Sequence, residues 1–265
     1  RETARERGNP WLVGYFVDNE AAWRSMRLLD MPADAPLRSA WAAHLEARHR
    51  TPAALNEAWG TTFESWAAVR ALTMADLPAR EAVGADVRAF EAAYADRYAA
   101  TVRRLLRKHD PDHLYLGCRF VRVPPHETIV AAVGRHVDVI SVNCYSRVPD
   151  PEAFGEWHRM SGGRPILIGE FHFPLESARQ LPPPYQAFSD TEREAMLVEF
   201  IRTWAGQPWS LGCHWYQHAD QPTTGRFSDG ENQTVGLVSI VDEPYDHLVR
   251  AFQKSAREIP AWRRR

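Results

Sequence analysis

The chain has 265 residues, 45% of them hydrophobic and 11% aromatic, which is ample for one well-packed core and argues against disorder. Lys plus Arg number 32 against 34 for Asp plus Glu, a formal net charge of -2, so no basic bias points to nucleic acid or an anionic membrane. Three Cys make no paired disulfide framework and none has metal-ligand spacing, while no apolar run reaches the roughly 18 residues that span a bilayer.

The chain opens Arg1-Glu2-Thr3, with neither an initiator Met nor an apolar signal segment, and reads as a piece of a larger protein. Trp11 to Val17 is the first of five short apolar stretches with strand character. Thr51-Pro52 then supplies a helix N-cap followed by proline at the first helical position. Thr61-Thr62-Phe63-Glu64 fits a capping box, and a long helix is expected from about Gly84 to Lys108. Val87, Phe90, Tyr94, Tyr98 and Leu105 fall near one face of it, the stripe of a core-packed helix. Leu114 to Phe120, Val137 to Asn143 and Pro165 to Phe171 are the next three strands. The run Pro182-Pro183-Pro184 reads as a rigid loop, and Ser189-Asp190-Thr191-Glu192 as a second capping box. Ser210 to Gln217 is the fifth strand, followed by a last helix from about Tyr245 to Arg257.

The strands are continuous apolar runs rather than alternating ones, the pattern of a parallel sheet covered on both faces. Strands alternating with helices predict an α/β fold, either a (β/α) barrel or a doubly wound sheet. No strand-to-helix junction carries the Gly-rich nucleotide fingerprint, which disfavours the doubly wound form. A (β/α)8 TIM-barrel needs eight strands. With five present, the expectation is an incomplete barrel lacking its first three strands, with residues 1-265 forming a single domain.

In a barrel the functional groups stand at the C-terminal strand ends. Here those ends read Val17-Asp18-Asn19-Glu20, Asn143-Cys144-Tyr145, Ile168-Gly169-Glu170-Phe171-His172 and His214-Trp215-Tyr216-Gln217-His218. Two carboxylates at different strand mouths meet the requirement of glycoside hydrolysis, where one protonates the leaving oxygen and the other attacks the anomeric carbon. Asn19 has a side chain suited to a sugar hydroxyl, and Trp215 a ring suited to stacking under a sugar. The bland alternative for each is a capping, solvated or core residue.

Several segments together resemble a known group. Gly14-Tyr15-Phe16-Val17-Asp18-Asn19-Glu20 is similar to the acid/base strand of clan A retaining glycoside hydrolases, and Ile168-Gly169-Glu170-Phe171-His172 to their nucleophile strand. Ala54-Leu55-Asn56-Glu57-Ala58-Trp59-Gly60-Thr61, with Ser65-Trp66, resembles a stretch shared by family 42 β-galactosidases and the agarases of family 50. Leu114-Tyr115-Leu116-Gly117-Cys118-Arg119-Phe120 and the loop from His214 through Asp220-Gln221-Pro222-Thr223-Thr224-Gly225-Arg226 to Asp229-Gly230-Glu231-Asn232 resemble the agarases most. The resemblance sets the register: the five strands would be strands four to eight.

It further implies Glu20 as general acid/base, with a raised pKa, and Glu170 as nucleophile, their carboxyls about 5–5.5 Å apart. It implies Asn19 on the sugar 2-hydroxyl, Tyr145 on the nucleophile, Trp215 as a sugar platform, and His172, Gln217, Glu231 and Asn232 in reach of substrate. Asp18 alternates away from Glu20 and reads as structural. His214 and His218 lack the nearby Glu of a helical zinc site, so no metal is expected. Cys118, Cys144 and Cys213 read as small buried hydrophobes.

The implied activity is agarase-like hydrolysis of a galactose-containing polysaccharide, with no cofactor, no nucleic-acid or membrane partner, and a secreted or periplasmic site expected from the substrate's size. A family 42-type β-galactosidase and an inactive carbohydrate-binding fragment are the rivals. Pro174 stands where the agarases carry Gly, and Leu175 to Phe188 departs from their usual loop.

Overall fold

The computed structural model describes residues 5–21, 23, 29–121, 126–176 and 185–264. Its contacts separate two compact units. The first comprises residues 1–21, 105–124 and 137–265; the second comprises residues 22–104 and 125–136.

The first unit holds every strand found among the described residues, at the five places the sequence marks: β1 (Gly14–Tyr15), β2 (Leu114–Tyr115), β3 (Ile140–Asn143), β4 (Ile166–Phe171) and β5 (Ser210–Trp215). β1 pairs parallel with β2, and β3, β4 and β5 form a parallel sheet in sequential order. A parallel bridge between Phe120 and Val142 continues the chain after β2 alongside β3. The expectation of parallel strands buried on both faces therefore holds for β3 and β4, every residue of which is buried. The regular strands are shorter than the apolar runs; after β2 the positive φ of Gly117 (83°) and Arg119 (45°) interrupts the extended backbone. β1 is a strand only because position 14 is glycine: a Cβ there would lie 2.3 Å from the Leu114 carbonyl oxygen.

Helices α6 (Pro151–Met160), α7 (Asp190–Ala205) and α8 (Asp246–Trp262) pack in this unit. Ser189 caps α7 by accepting from the Glu192 amide at 3.2 Å, as the capping box predicts. The Glu192 carboxylate, however, returns to the Phe188 amide at 2.8 Å. Phe120, Phe154, Trp157, Phe171, Phe200 and Trp204 fill the core, with Phe171 and Phe200 stacked at a 4.2 Å centroid separation. Cys118 and Cys144 are buried and Cys213 is half-buried, all three as free thiols.

The second unit is helical, built from α1 (Pro36–His49), α2 (Pro52–Trp59), α3 (Trp66–Arg70), α5 (Glu127–Gly134) and most of α4 (Glu81–His109). Its core gathers Trp41, Leu45, Leu55, Trp59, Val69, Leu72, Val83 and Phe90. Thr51 caps α2 through the Ala54 amide, with Pro52 at the first helical position. The capping box read at Thr61 is corrected: residues 61–64 are irregular, and Ser65 caps α3 instead. Asn56 accounts for the irregular stretch, because its side chain accepts from the Phe63 amide and the Thr61 hydroxyl and donates to the Phe63 carbonyl. On α4 the buried residues are Val83, Asp86, Phe90, Ala95 and Ala99. Tyr94 and Leu105 are exposed, so the stripe read for them is also corrected.

Asp86 sits in this core and accepts from Arg48 Nε at 2.7 Å, His49 Nε2 at 2.7 Å and Trp59 Nε1 at 2.8 Å. Burial alone raises its pKa, but the three donors outweigh that and hold it below the usual carboxylate range. The Asn56-to-Thr61 motif is thus a structural signature: Asn56 ties the loop, Trp59 anchors Asp86, and Gly60 closes α2 in a left-handed conformation. The Pro182–Pro184 run and most of the divergent loop after β4 lie outside the described residues.

Candidate active site

The C-terminal strand ends of the first unit open on a cavity of about 560 Å³, within the size range of small-molecule sites. Asn19, Glu20, Arg119, Tyr145, Glu170, His172, Tyr216, Arg226, Asp229, Glu231 and Gln233 line it.

Glu170 is the penultimate residue of β4 and has both carboxylate oxygens engaged. Tyr145 donates its hydroxyl to Oε2 at 2.6 Å, and Arg119 lies 2.9 Å from Oε1. Gly169 makes this clamp possible, since a Cβ there would sit 2.7 Å from Arg119 Cδ and 2.9 Å from Asn143 Oδ1. The Arg119 guanidinium also lies over the Phe16 ring, 5.1 Å from its centroid.

Glu20 is exposed on the other wall. Asn143, buried at the end of β3, donates Nδ2 to Glu20 Oε1 at 2.8 Å and to Asn19 Oδ1 at 3.2 Å. A break in register between Val142 and Asn143 occurs where that side chain is presented to the site. Asp18, Glu20 and Arg119 all have positive φ, of 63°, 51° and 45°. Each such residue costs on the order of 1–3 kcal/mol, and the three cluster where the Glu20 amide donates to the Arg119 carbonyl at 3.0 Å. Arg119 thereby links the two acidic residues, by its backbone to one and its side chain to the other.

Burial, reinforced by neighbouring Glu170, pushes the Tyr145 hydroxyl well above the normal tyrosine range, so it stays a donor. Burial pushes His172 down to about 4, overcoming its bond to the Tyr216 carbonyl. His172 is therefore neutral near pH 7. A carbonyl only accepts, so Nδ1 carries the proton in that 3.0 Å bond and Nε2 is left as an acceptor. The loop after β5 supplies the far wall. Arg226 binds Asp229 at 2.5 Å and Glu231 at 2.9 Å and reaches the Tyr216 hydroxyl, while Gln221 donates to Glu231 at 2.8 Å.

Of the residues read from sequence, Asn19, Glu20, Tyr145, Glu170, His172 and Glu231 come together on this cavity. Trp215 does not line it, a correction with a packing cause. Its Nε1 donates to the Val235 carbonyl at 2.8 Å, and its ring meets Phe171, Phe173 and Phe252 under the Arg193 guanidinium. Gln217 is likewise turned to its own loop, donating to the Ala219 carbonyl at 2.8 Å. Asn232 is half-buried and falls between the lining residues Glu231 and Gln233. His214 is exposed, with its ring edge-on to Phe16 at 5.8 Å.

Arg119, Tyr216, Arg226, Asp229 and Gln233 also line the cavity and Asn143 bonds Glu20, roles the sequence does not announce. Arg119 and Asn143 did carry a signal, being polar residues at the ends of apolar strands. Among the described residues, no group of three or more His, Cys, Asp or Glu is placed to hold a metal.

Comparison with known proteins places this geometry in context. Residues 3–164 match a glycoside hydrolase family 42 model described as β-galactosidase. β-Agarase B of Vibrio sp. (strain JT0107) is 32% identical over 272 residues, covering 97% of this chain and 28% of that protein. β-Agarase A of the same organism is 34% identical over 282 residues, covering 95% of this chain and 27% of its own length. The chain thus spans under a third of these curated relatives. The structure of an exo-β-agarase superposes with a TM-score of 0.87 at 32% identity, covering 96% of this chain and 36% of that one.

Proposed function

The chain belongs to the family 42 β-galactosidase group of glycoside hydrolases, and from that membership we propose that it carries the catalytic carboxylates of a retaining β-glycoside hydrolase acting on an agarose-type galactan. The observation that carries the reading is the pair of glutamates on one cavity, Glu170 clamped through both oxygens and Glu20 held through one. That asymmetry suits different tasks. Glu170, facing a cation and a hydroxyl donor, is the anionic nucleophile. Glu20, exposed and with Oε2 free of the Asn143 bond, is the proton carrier.

In the first step a Glu170 oxygen forms a bond to the anomeric carbon while Glu20 gives its proton to the departing glycosidic oxygen. In the second, Glu20 takes a proton from water, the resulting hydroxide attacks the same carbon, and the ester bond to Glu170 breaks. Asn19, next to Glu20 on the cavity, receives the 2-hydroxyl in this reading, and the His172 Nε2 lone pair accepts from a sugar hydroxyl. Two carboxylates and water complete this chemistry. We read the five parallel strands as strands four to eight of a (β/α)8 barrel, with residues 1-265 as part of that one domain. Their uniform direction and sequential order support this.

A second reading, hydrolysis of small β-galactosides, is favoured by the family 42 match over residues 3–164. Proton NMR of the first-formed product, with the full-length protein acting on neoagaro-oligosaccharides and on p-nitrophenyl β-galactoside, tests both. The β anomer appearing first on both substrates is expected. The α anomer first would overturn retention, and cleavage of the chromogenic substrate alone would move the assignment to the second reading.

A further inference from the structure

We infer that Phe227 forms an outer sugar subsite, a platform on which a hexose of the galactan chain stacks its C–H face beyond the catalytic cavity. This rests on the proposed galactan-hydrolysing function.

The Phe227 side chain is fully exposed, at 107% relative accessibility, the largest value among the exposed hydrophobic residues. A lone exposed hydrophobic residue needs no explanation by itself. This one differs in its setting, because Arg226 on one side and Asp229 two residues on both line the cavity. The ring therefore stands beside the cavity wall, on the loop that carries two of its lining residues.

The loop beneath it is fixed. The Gly225 amide donates to the Pro222 carbonyl, the Gly230 amide to the Arg226 carbonyl and the Arg226 amide to the Glu231 carbonyl, each at 2.8 Å. Gly225 has φ +88°, and a Cβ on it would lie 2.7 Å from the Gly230 carbonyl oxygen, so the two arms of the turn are in contact. The Arg226 guanidinium ties the turn to Asp229 and Glu231. A turn braced in this way holds the Phe227 ring out in solvent without using it for packing, and the cost of ordering it is met before any ligand arrives.

The chemistry matches one class of ligand. A phenyl ring has no donor or acceptor, so it recognises an apolar surface, and the C–H face of a pyranose is the apolar surface a polysaccharide presents. Inside the cavity the aromatic residues are otherwise engaged. Tyr145 and Tyr216 have their hydroxyls on Glu170 and Arg226, their rings pack with His172, and Trp215 is half-buried against Phe171, Phe173 and Phe252. The cavity thus binds through polar groups, and the loop beside it supplies the ring face.

The test uses the full-length protein, wild type and Phe227→Ala, on neoagarotetraose and neoagarohexaose. The ratio of kcat/KM on the longer to the shorter substrate should fall by about 2- to 10-fold in the variant, through KM, the range of an aromatic contact. Phe227→Trp should restore the ratio. A wild-type ratio in Phe227→Ala, a changed oligomeric state or a lowered Tm would overturn the subsite. Calorimetric binding of neoagarohexaose to both proteins, each carrying Glu170→Gln so that no turnover occurs, separates the two ideas. Weaker binding to the alanine variant supports the subsite even if the wild type hydrolyses neither substrate, an outcome that would defeat the proposed function instead. Equal binding would defeat the subsite.

Discussion

Replacing Tyr145 by Phe removes one atom from the clamp on Glu170, and the structure sets the size of the expected loss. The hydroxyl donates to Glu170 Oε2 at 2.6 Å, a short bond to a charged acceptor. Such bonds contribute about 1.5–3 kcal/mol, equivalent to about 10- to 150-fold in rate if fully expressed in the transition state. Arg119 keeps Oε1 in the variant, and the open cavity admits water to Oε2, so the lower part of that range, about 10- to 30-fold in kcat/KM, is expected. Folding should be little affected, because the ring keeps its contacts with His172 at 4.6 Å and Tyr216 at 6.5 Å. Initial rates on a chromogenic β-galactoside, with a thermal melt beside them, make the comparison. A Tyr145→Phe enzyme within twofold of wild type would refute the clamp as a catalytic feature. So would a lower rate that merely tracks a lower Tm.

Other perturbations separate the site from its scaffold. Gly169→Ala forces a methyl against Arg119 and Asn143, the residues that hold the two glutamates, so activity should drop at least about tenfold beyond the 1–3 kcal/mol of an overpacked position; unchanged kinetics would contradict the close fit. Asp86→Ala strips Arg48, His49 and Trp59 of their shared acceptor and should lower stability by about 3 kcal/mol in a urea titration, an effect below 1 kcal/mol contradicting its anchoring role. His172 has a folded pKa of about 4 against about 6.5 when unfolded, so the unfolded chain takes up the proton first as pH falls. Its contribution is therefore complete above about pH 6.5 and lost between there and about pH 4, and His172→Gln should flatten the stability profile in that window. Identical profiles would show that His172 is not buried in its neutral form.

β3 and β4 were legible because burial on both faces writes continuous apolar runs, and Ile166–Phe171 is such a run. The acidic pair was legible because a Glu at the end of an apolar run stands out in the sequence, although Glu20 lies five residues past β1 and Glu170 one residue before the end of β4. What escaped depended on direction rather than position. Trp215 and Gln217 lie at a strand end as expected, yet one ring packs edge-on against Phe171 and Phe252 and the other side chain bonds its own loop. Arg226 and Asp229 sit in a motif that assigns them no role, since nothing in the local sequence says that a loop nearly sixty residues from Glu170 lines the same cavity. Thr61 offered a capping pattern that Asn56 overrode by taking the Thr61 hydroxyl and Phe63 amide for itself.

One measurement reaches the proposed chemistry most directly. The full-length protein is incubated with a 2-deoxy-2-fluoro-β-galactoside carrying a good leaving group, digested, and the labelled peptide sequenced by mass spectrometry. A single fluoroglycosyl adduct on Glu170, absent from Glu170→Gln and accompanied by loss of activity, is the predicted result. An adduct on another residue, or inactivation with none, would contradict Glu170 as the nucleophile of a retaining hydrolase.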